Sequence, residues 1–328
     1  MKTIFIVNPK AGQGKGIEKL YATIKDAKIR LELDVDVYTT TAVGDATQFV
    51  SAYCKENPPA RFIACGGDGT ANEVLNGIMD FPDCEMGVLP MGTGNDFCRN
   101  FPDAGDFKDV LAQIKGETVP CDAIHITSER DTFYCINMVN IGFDCNVAAM
   151  TATMKQKPLI SGPMAYFVSI FGTLIQKKGA DLQVFADGKE IYNGPLLLNS
   201  IANGKFCGGG IKSNPGASVQ DGKLNVNLVS NVSRTYLLRL LPAYMKGTHM
   251  QIRGIEKVIS NPTCEQLVVR PNTPSVLISC DGEIKNYKQL TFTAVPKALR
   301  MVVPASKTKL GGKEYEQDCI RENVRVGQ

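Results

Sequence analysis

The chain has 328 residues, of which 44% are hydrophobic and 21% charged, so it falls in the globular range and is long enough for two domains. Its formal net charge of +3 is small for this length, and we therefore expect no nucleic-acid partner. The cysteines form no CxxC pair and only two histidines are present, which argues against a structural zinc site and is typical of reduced cytosolic thiols.

Up to Pro120, β-branched apolar runs alternate with amphipathic stretches. Strands are predicted at KTIFIVN, LDVDVYTT, ARFIACGG and EMGVLPMG. Helices are predicted from about Gly16, from about Asp45, and at TANEVLNGI, NDFCRN and DFKDVLAQIKG. Because strands that alternate with helices form βαβ units, this half predicts an α/β fold with a parallel sheet.

After about Cys121, strands follow one another with turns between them. They are predicted at GPLLLNSIAN, GKLNVNLVS, QLVVR, SVLISC and QLTFTAV, and LQVFADGKEIY predicts a hairpin around Asp187 and Gly188. Two helices, near residues 162–176 and 234–246, interrupt this half. The pattern predicts an antiparallel β-sandwich or barrel, and the charged end from SKTKLGGKEYEQ onward predicts a loosely packed tail.

Two apolar segments bear on export and membrane insertion. The N-terminal MKTIFIVNPKAGQG lacks the long apolar stretch and cleavage site of a secretory signal, so we expect no export. Residues 158–175 carry no charge and just reach the length of a membrane span. Their prolines, glycines and serines favour a buried or cleft-lining helix instead.

Three glycine-rich turns follow predicted strands of the first half: NPKAGQGKG, GGDGT and MGTGND. In an open parallel sheet, ligands bind beyond the carboxyl ends of the strands. Glycines let backbone N–H groups approach closely, and the helix that follows adds its positive end. Phosphate is the ligand that this arrangement suits.

Each loop also has a simpler interpretation. The first lacks the GxxxxGK[ST] spacing, so a plain βα turn stays open. Asp68 lies amid glycines, where its carboxylate could hold magnesium, although aspartate also forms turns. The third loop could serve only to cap a helix. Their coincidence at three strand ends favours a ligand site.

NPKAG, GGDGTANEVLNGI and LPMGTGNDF resemble the three signatures of the diacylglycerol kinase catalytic domain, a family that includes bacterial lipid kinases, sphingosine kinases and ceramide kinases. The resemblance continues, in the family's order, with NGKFCGGGIKSNPGASVQDGKL and ISCDGE. It implies an α/β nucleotide-binding domain over residues 1–122, joined by 300–328, and a β-sandwich over 123–299 that carries the lipid pocket. The nucleotide would bind in the cleft between them.

The resemblance also implies ATP and Mg²⁺ as cofactors. Asp68 would orient magnesium, and Asp281 or Glu283 would accept the proton of the attacking hydroxyl, with Asp281 preferred because Gly282 leaves room for substrate. The residues predicted to form the nucleotide site are Asn8, Pro9, Lys10, Ala11, Gly12, Thr40, Gly66, Gly67, Asp68, Gly69, Thr70, Ala71, Asn72, Glu73, Gly92, Thr93, Asn95 and Asp96.

A second, structural divalent ion is implied at the SVQDGKL turn. Asp221 would provide its side chain, and Ser218 and Lys223 their backbone carbonyls. Because backbone ligands require no particular side chain, an ordinary Asp-Gly turn is the alternative.

The sequence thus favours an ATP-dependent lipid kinase, with diacylglycerol converted to phosphatidic acid. We expect a cytoplasmic protein that binds reversibly to the inner face of the membrane, where its lipid substrate lies. Two stretches could contact lipid, residues 164–175 and the basic SRTYLLRLLPAYMK, although a core helix is favoured for the second. A soluble-substrate kinase of the NAD kinase type and a non-catalytic nucleotide-binding regulator are the alternatives. The oligomeric state, a homodimer included, stays open.

Overall fold

A computed structural model describes residues 1–103, 105–154, 169, 172, 173 and 179–304. In the first half, strands and helices alternate along the chain. The strands are β1 (Thr3–Val7), β2 (Val35–Thr39), β3 (Arg61–Gly66) and β4 (Glu85–Pro90). The helices are α1 (Ile17–Arg30), α2 (Asp45–Glu56), α3 (Asp68–Ile78) and α4 (Val110–Lys115), with short 3-10 segments at Ala11–Gly14 and Phe97–Asn100. The strands pair in parallel in the order β4-β3-β1-β2, as predicted.

Strand β1 illustrates how this sheet is buried on both faces. Its side chains alternate between two clusters, since successive residues of a strand point to opposite faces. Ile4 and Ile6 pack in the cluster that contains α2 and α3, whereas Phe5 and Val7 pack with α1 and Val110 of α4. Helices on both faces leave the carboxyl edge of the sheet, where the glycine loops lie, as the open side for a ligand.

The second half is built mainly from antiparallel strands. They are β5 (Glu117–Ser128), β6 (Thr132–Cys135), β7 (Met138–Gly142), β8 (Ala180–Ala186), β9 (Lys189–Ala202), β10 (Leu224–Ser230), β11 (Ile259–Ser260), β12 (Thr263–Cys264), β13 (Gln266–Pro271), β14 (Val276–Cys280), β15 (Glu283–Tyr287) and β16 (Leu290–Val303). Helices α5 (Phe143–Met154) and α6 (Arg234–Lys246) and the 3-10 turns His249–Gln251 and Ile255–Lys257 complete this half.

These strands form the predicted β-sandwich-like domain. Their order is β15-β14-β7-β9-β8-β13-β16, with β10 added beside β9. The main apolar core of the domain includes Ile126, Val139, Leu182, Val226 and Phe292, and a second cluster lies under α5 and α6.

Strand β16 connects the two halves. Its first part pairs with β13 and β5, and its register against β5 shifts between Val295 and Leu299, where Lys297 has a φ of 52°. Beyond the shift, Arg300 and Met301 pair in parallel with β4 of the first half. The end of the described chain therefore returns to the first sheet, while the domain boundaries at 122 and 299 stay a prediction.

Two local predictions are confirmed: β8 and β9 form a hairpin through Asp187 and Gly188, and α6 occupies residues 234–246. The predicted helix near 162–176 lies outside the described residues apart from Ser169, Gly172 and Thr173, which are helical. The predicted tail, from residue 305, also lies outside them. Within the part of the chain that is described, no helix is long and apolar enough to cross a membrane.

Candidate active site

The three glycine loops meet at the carboxyl edge of the parallel sheet. A Cβ on Gly92 would lie 2.5 Å from the Cα of Gly67, so the second and third loops touch backbone to backbone. A Cβ on Gly12 would lie 2.7 Å from the carbonyl oxygen of Met91, which brings the first loop against the third. Because such approaches exclude any side chain, the predicted clustering of these loops depends on glycine.

The first loop is shaped by Asn8. Its side chain donates to Thr70 Oγ1 over 3.2 Å and accepts the backbone N–H of Lys10 at 3.0 Å. Pro9 lies between them, and the N–H of Ala11 donates to the Asn8 carbonyl. Thr40, at the end of β2, donates its N–H to the last residue of β1 and so lies at the same edge.

Asp68 connects the second loop to the third through hydrogen bonds. Its Oδ2 accepts the backbone N–H of Asn95 at 3.0 Å, and its Oδ1 accepts that of Asp96 at 2.9 Å. Burial raises the pKa of the Asp68 carboxyl, and these backbone donors oppose that rise. A glycine at position 94 is required here, since a Cβ would approach Asp68 Oδ2 to 2.8 Å.

Asp96 ties the third loop to the second half of the chain. Its two carboxylate oxygens accept the backbone N–H groups of Gly209 and Gly210, at 2.9 and 2.7 Å. Burial and then the nearby charge of Asp68 raise the pKa of Asp96 to about 6. The Arg99 guanidinium lies 3.6 Å away and offsets part of this charge.

The residues around Asp68 fit a divalent cation. The carboxylates of Asp68 and Asp96 flank Gly94, and the charge of Asp68 raises the pKa of Asp96, as a like charge does. Their oxygens are the hard ligands that Mg²⁺ prefers, and because a carboxylate oxygen has two lone pairs, one that accepts a hydrogen bond can also bind a cation.

Other predicted site residues shape this edge. Asn95 has a φ of 52° and closes the third loop by a two-way contact with Gly92, donating to its carbonyl and accepting its N–H. Glu73 accepts the N–H of Ala46 at the start of α2, and the side chain of Ala71 packs in the core. Gly66, Gly69 and Thr93 belong to the backbone of the second and third loops.

Asp281 lies in the turn between β14 and β15, with a φ of 46°. Its carboxylate accepts three N–H groups at 2.8 to 2.9 Å, from the backbone of Ile136 and Met138 and from the side chain of Asn72. Burial raises the pKa of this carboxyl, and hydrogen bonds from these three groups and from the Cys135 thiol oppose the rise. The donors fix its orientation, as the function of a general base requires.

Asn72 joins the candidate base to the glycine loops, because it lies on α3 two residues after the end of GGDGT. Its own position is held by Asn76, whose amide donates to the Asn72 carbonyl and side chain as well as to the Tyr134 carbonyl. Sequence reasoning placed Asn72 at the nucleotide. The structure places its amide nitrogen 2.8 Å from Asp281 instead, while the nucleotide contact stays a prediction.

Two cysteines adjoin this carboxylate. The thiols of Cys135 and Cys280 and the carboxylate of Asp281 lie within 4.8 Å of one another. Burial raises the pKa of Cys135 well above its ordinary value, so this thiol is protonated at neutral pH and acts as a donor within the cluster.

Glu283, the second candidate base, lies at the start of β15, where its carboxylate is 3.8 Å from the Lys285 ammonium and partly exposed. No protein N–H group in the described residues orients it as three orient Asp281.

At the predicted structural-ion turn, the Asp221 side chain accepts the N–H of Lys223, and Ser218 Oγ accepts that of Gln220. The turn is anchored by Asp122, a buried residue that sequence reasoning missed. Its oxygens accept the N–H groups of Gly222 and Lys297, both at 2.7 Å. The turn is thus well ordered by its own hydrogen bonds, and the ion stays a prediction.

A polar row crosses the sheet next to Asp281. Ser279, Asn140, Ser200 and Asn227 stand opposite one another on β14, β7, β9 and β10. Directly opposed residues share a face. Ser279, Ser200 and Asn227 are buried, and the buried Oδ1 of Asn140 has no hydrogen-bond partner among the described residues.

Two residues further along the same strands, the face becomes apolar. Leu198 and Val229, which are paired neighbours, line a pocket that α5 and α6 cover. The pocket is lined by Phe143, Leu197, Leu198, Val229, Leu237, Leu240, Leu241, Tyr244 and Ile259. Along this face of the sheet, the side chains therefore change from the Asp281 carboxylate to amides and hydroxyls and then to hydrocarbon.

Comparison with known proteins gives the same family for both halves. Residues 2–126 match the family model for the diacylglycerol kinase catalytic domain, and residues 137–303 match that for the YegS C-terminal NAD kinase beta sandwich-like domain.

Curated relatives carry the name diacylglycerol kinase. The protein from Staphylococcus aureus (strain MRSA252) is 32% identical over 249 residues, which cover 74% of this chain and 75% of the relative. The protein from Mycobacterium tuberculosis (strain ATCC 25618 / H37Rv) is 26% identical over 309 residues, with 92% and 95% covered.

The fold is also that of a solved structure. A putative diacylglycerol kinase from Bacillus anthracis str. Sterne superposes with a TM-score of 0.68 at 21% identity and covers 92% of this chain and 96% of its own. The matched models, the relatives and the site geometry agree: this chain is a kinase and belongs to the bacterial diacylglycerol kinase family.

Proposed function

We propose that this kinase transfers the γ-phosphate of ATP to the free hydroxyl of diacylglycerol and so forms phosphatidic acid. The observation that carries the proposal is the contact of Asn72 with Asp281. It connects the glycine loops, which suit phosphates, to a carboxylate that is oriented to accept a proton. A lipid acceptor is further supported by the polar-to-apolar face beside that carboxylate.

In the proposed step, the acceptor oxygen forms a bond to the γ-phosphorus while the bond from that phosphorus to the β,γ-bridging oxygen breaks. Adenosine diphosphate leaves with the bridging oxygen, and the hydroxyl proton passes to Asp281. Phosphoryl transfer depends largely on positioning and charge neutralisation, so a carboxylate fixed by three donors is well suited to it.

Asp68 and Asp96 would hold the magnesium ion, which when bound neutralises charge on the phosphate oxygens. The protein's own part is to keep the two carboxylates in place, and it does so through backbone donors from Asn95, Asp96, Gly209 and Gly210. The glycines at positions 12, 67 and 92 let the loops pack closely enough for their N–H groups to face one ligand.

On the acceptor side, Asn140 and Ser279, at the end of the row next to Asp281, would face the polar glycerol part of the lipid. Ser200 and Asn227 are fully buried and form hydrogen bonds within the protein. The buried Oδ1 of Asn140, which has no hydrogen-bond partner among the described residues, could accept a hydrogen bond from a substrate hydroxyl. The apolar cavity beneath α6 has a volume of about 30 Å³ and would take at most the end of a hydrocarbon chain.

The test is transfer of labelled γ-phosphate from ATP, with magnesium, to mixed micelles that contain one candidate lipid each. Wild type is compared with Asp281→Asn and with Asp26→Asn, a control that alters an exposed carboxyl on α1 in the same manner. We expect label on diacylglycerol from wild type and the control, and almost none from Asp281→Asn.

Label on another lipid would replace diacylglycerol as the acceptor. Label on NAD or a sugar, with none on lipids, would contradict the proposal in favour of a soluble substrate. Activity of Asp281→Asn equal to that of the control would remove Asp281 from the reaction.

A further inference from the structure

Helix α6 and the 3-10 turn that follows it form an unusual surface of this protein. Between Asp221 and Glu256 the sequence contains no acidic residue, and its basic residues there are Lys223, Arg234, Arg239, Lys246 and Arg253. This segment is therefore wholly basic, as are the segments between Asp144 and Asp181 and between Glu283 and Glu314. Local positive charge of this kind attracts anionic surfaces.

The same segment displays apolar side chains to solvent. Ten large hydrophobic residues are exposed in the described part of the chain, and four of them, Tyr236, Leu238, Met250 and Ile252, fall within this segment. Scattered single hydrophobics are ordinary, but a cluster among basic residues indicates an interaction surface.

The two faces of α6 have different surroundings. Leu237, Leu240 and Tyr244 are buried and line the apolar pocket. Leu238 and Lys246 lie eight positions apart on the opposite face, with Arg239 beside them, and all three are exposed. The 3-10 turn with Met250 stays at the end of this helix, since the Thr248 N–H donates to the Ala243 carbonyl at 2.9 Å.

We infer that this α6 surface, made of Tyr236, Leu238, Arg239, Lys246, Met250, Ile252 and Arg253, docks the enzyme on an anionic lipid bilayer. The apolar side chains would enter the interface, and the basic ones would contact lipid phosphates. The inference rests on the proposed function for one point only, that the substrate resides in a membrane.

The position of the surface favours a bilayer over a protein partner. The helix that would lie on the membrane is the helix that covers the apolar pocket, so docking brings the pocket next to the source of its lipid. Its C-terminal end also adjoins the active site. Lys212 donates its N–H to the Met245 carbonyl, and the hairpin that Lys212 follows donates two N–H groups to Asp96.

The test is binding to sedimented vesicles, without ATP or diacylglycerol, so that it does not depend on turnover. One set of vesicles is phosphatidylcholine alone, and the other contains one-third phosphatidylglycerol. The variant Leu238→Glu/Arg239→Glu is compared with Ile29→Glu/Lys25→Glu, which makes the same exchanges on exposed positions of α1.

We expect wild type and the α1 variant to bind anionic vesicles alike and the α6 variant to bind about tenfold or more weakly, with little binding of any protein to phosphatidylcholine alone. Equal binding of the α6 and α1 variants, or no preference of wild type for anionic vesicles, would overturn the inference.

A second measurement separates docking from folding and from the proposed function. The α6 variant should unfold at the temperature of wild type and phosphorylate a short-chain, water-dispersed acceptor within about twofold of the wild-type rate, because Leu238 and Arg239 point away from the pocket. If wild type fails on every lipid acceptor while the α6 variant alone loses vesicle binding, the proposed function falls and the docking surface stands. A variant that loses short-chain activity with its fold intact would contradict the assignment of these side chains to docking.

Discussion

Asp68 and Asp281 are both partly buried, and burial raises the pKa of both carboxyls, yet they are held in different ways. Asp68 accepts backbone N–H groups, among them those of Asn95 and Asp96, from a loop of the same sheet. Asp281 accepts from Ile136 and Met138, which are more than 140 residues away, and from a side chain on the other half of the chain.

This difference determines what mutation can do. The backbone donors of Asp68 cannot be removed one at a time by an ordinary substitution, so its surroundings are changed only by changing the loop. One donor to Asp281 is the amide of Asn72, and its removal should alter the acidity and orientation of the carboxylate without touching it. Substitution of the carboxylates themselves is expected to have the largest effects, and substitution of the residues around them smaller ones.

The largest effect is expected for Asp281→Asn. Loss of the proton acceptor should lower kcat by about a hundred- to ten-thousandfold, with the KM for ATP little changed. The measurement is steady-state transfer to diacylglycerol in mixed micelles, with thermal unfolding followed in parallel, because an asparagine keeps only one acceptor oxygen for three donors. A loss confined to the KM for ATP would show that Asp281 binds nucleotide rather than accepts a proton.

Asp68→Ala should impair nucleotide use and stability together. It leaves the N–H groups of Asn95 and Asp96 without their acceptor, which we expect to cost about 1–3 kcal/mol of unfolding free energy. The KM for ATP and the magnesium concentration at half-maximal rate should both rise. Urea unfolding and a magnesium titration measure the two effects, and full stability with an unchanged magnesium dependence would contradict this assignment.

Asn72→Ala tests the contact that connects the two halves. Its hydrogen bond stabilises the charged form of Asp281, so its loss should raise the pKa of that carboxyl further. The acid limb of the kcat profile should therefore move to higher pH, and kcat at neutral pH should fall about tenfold, the effect of one hydrogen bond to a charged group. Asn57→Ala, at the exposed end of α2, is the matched control. An acid limb that does not move would show that Asn72 acts on the nucleotide alone.

What the sequence could predict follows from how local each signal is. The GGDGT and MGTGND loops were recognisable because close backbone approach requires glycines at neighbouring positions, and the structure brings those loops together. The hairpin at Asp187 and Gly188 was predictable for another local reason, because its two-residue turn requires positive φ and these residues have φ of 47° and 79°.

Contacts between residues that are far apart in the sequence leave no recognisable local motif. Nothing near Asp96 indicates that its oxygens accept N–H groups from Gly209 and Gly210, 113 and 114 residues later. Asp122 is likewise a single aspartate within strand β5, although its buried carboxylate accepts N–H groups from two distant turns. The GGG run at positions 208–210 was the available clue, because three glycines in succession indicate exposed backbone donors.

His249 differs from Asp68 and Asp281, because it is a buried titratable group without the donors and acceptors that surround the two carboxylates. Neither ring nitrogen has a well-formed hydrogen bond among the described residues, and its ring lies 5.0 Å from that of Tyr244 at the end of α6. Burial lowers the pKa of His249, and the Ala243 backbone offsets this only in part. The unfolded chain therefore binds the proton at a higher pH than the folded protein does.

The sign of the pH effect follows. His249 should not affect the free energy of unfolding above the ordinary histidine pKa near 6.5. Below that pH the free energy of unfolding should fall, by at most about 1.4 kcal/mol per pH unit for one proton, until the lower pKa of the folded protein is reached. His249→Phe, which keeps a ring against Tyr244, should remove this part of the acid sensitivity, whereas His125→Gln should keep it. Urea unfolding between neutral and mildly acidic pH measures the difference, and parallel curves for wild type and His249→Phe would show that acid acts elsewhere. Because His249 lies beside α6, the same variant should leave Asp68, Asp281 and the rate at neutral pH unchanged. The acid sensitivity of the α6 region can thus be measured separately from the chemistry at the two carboxylates.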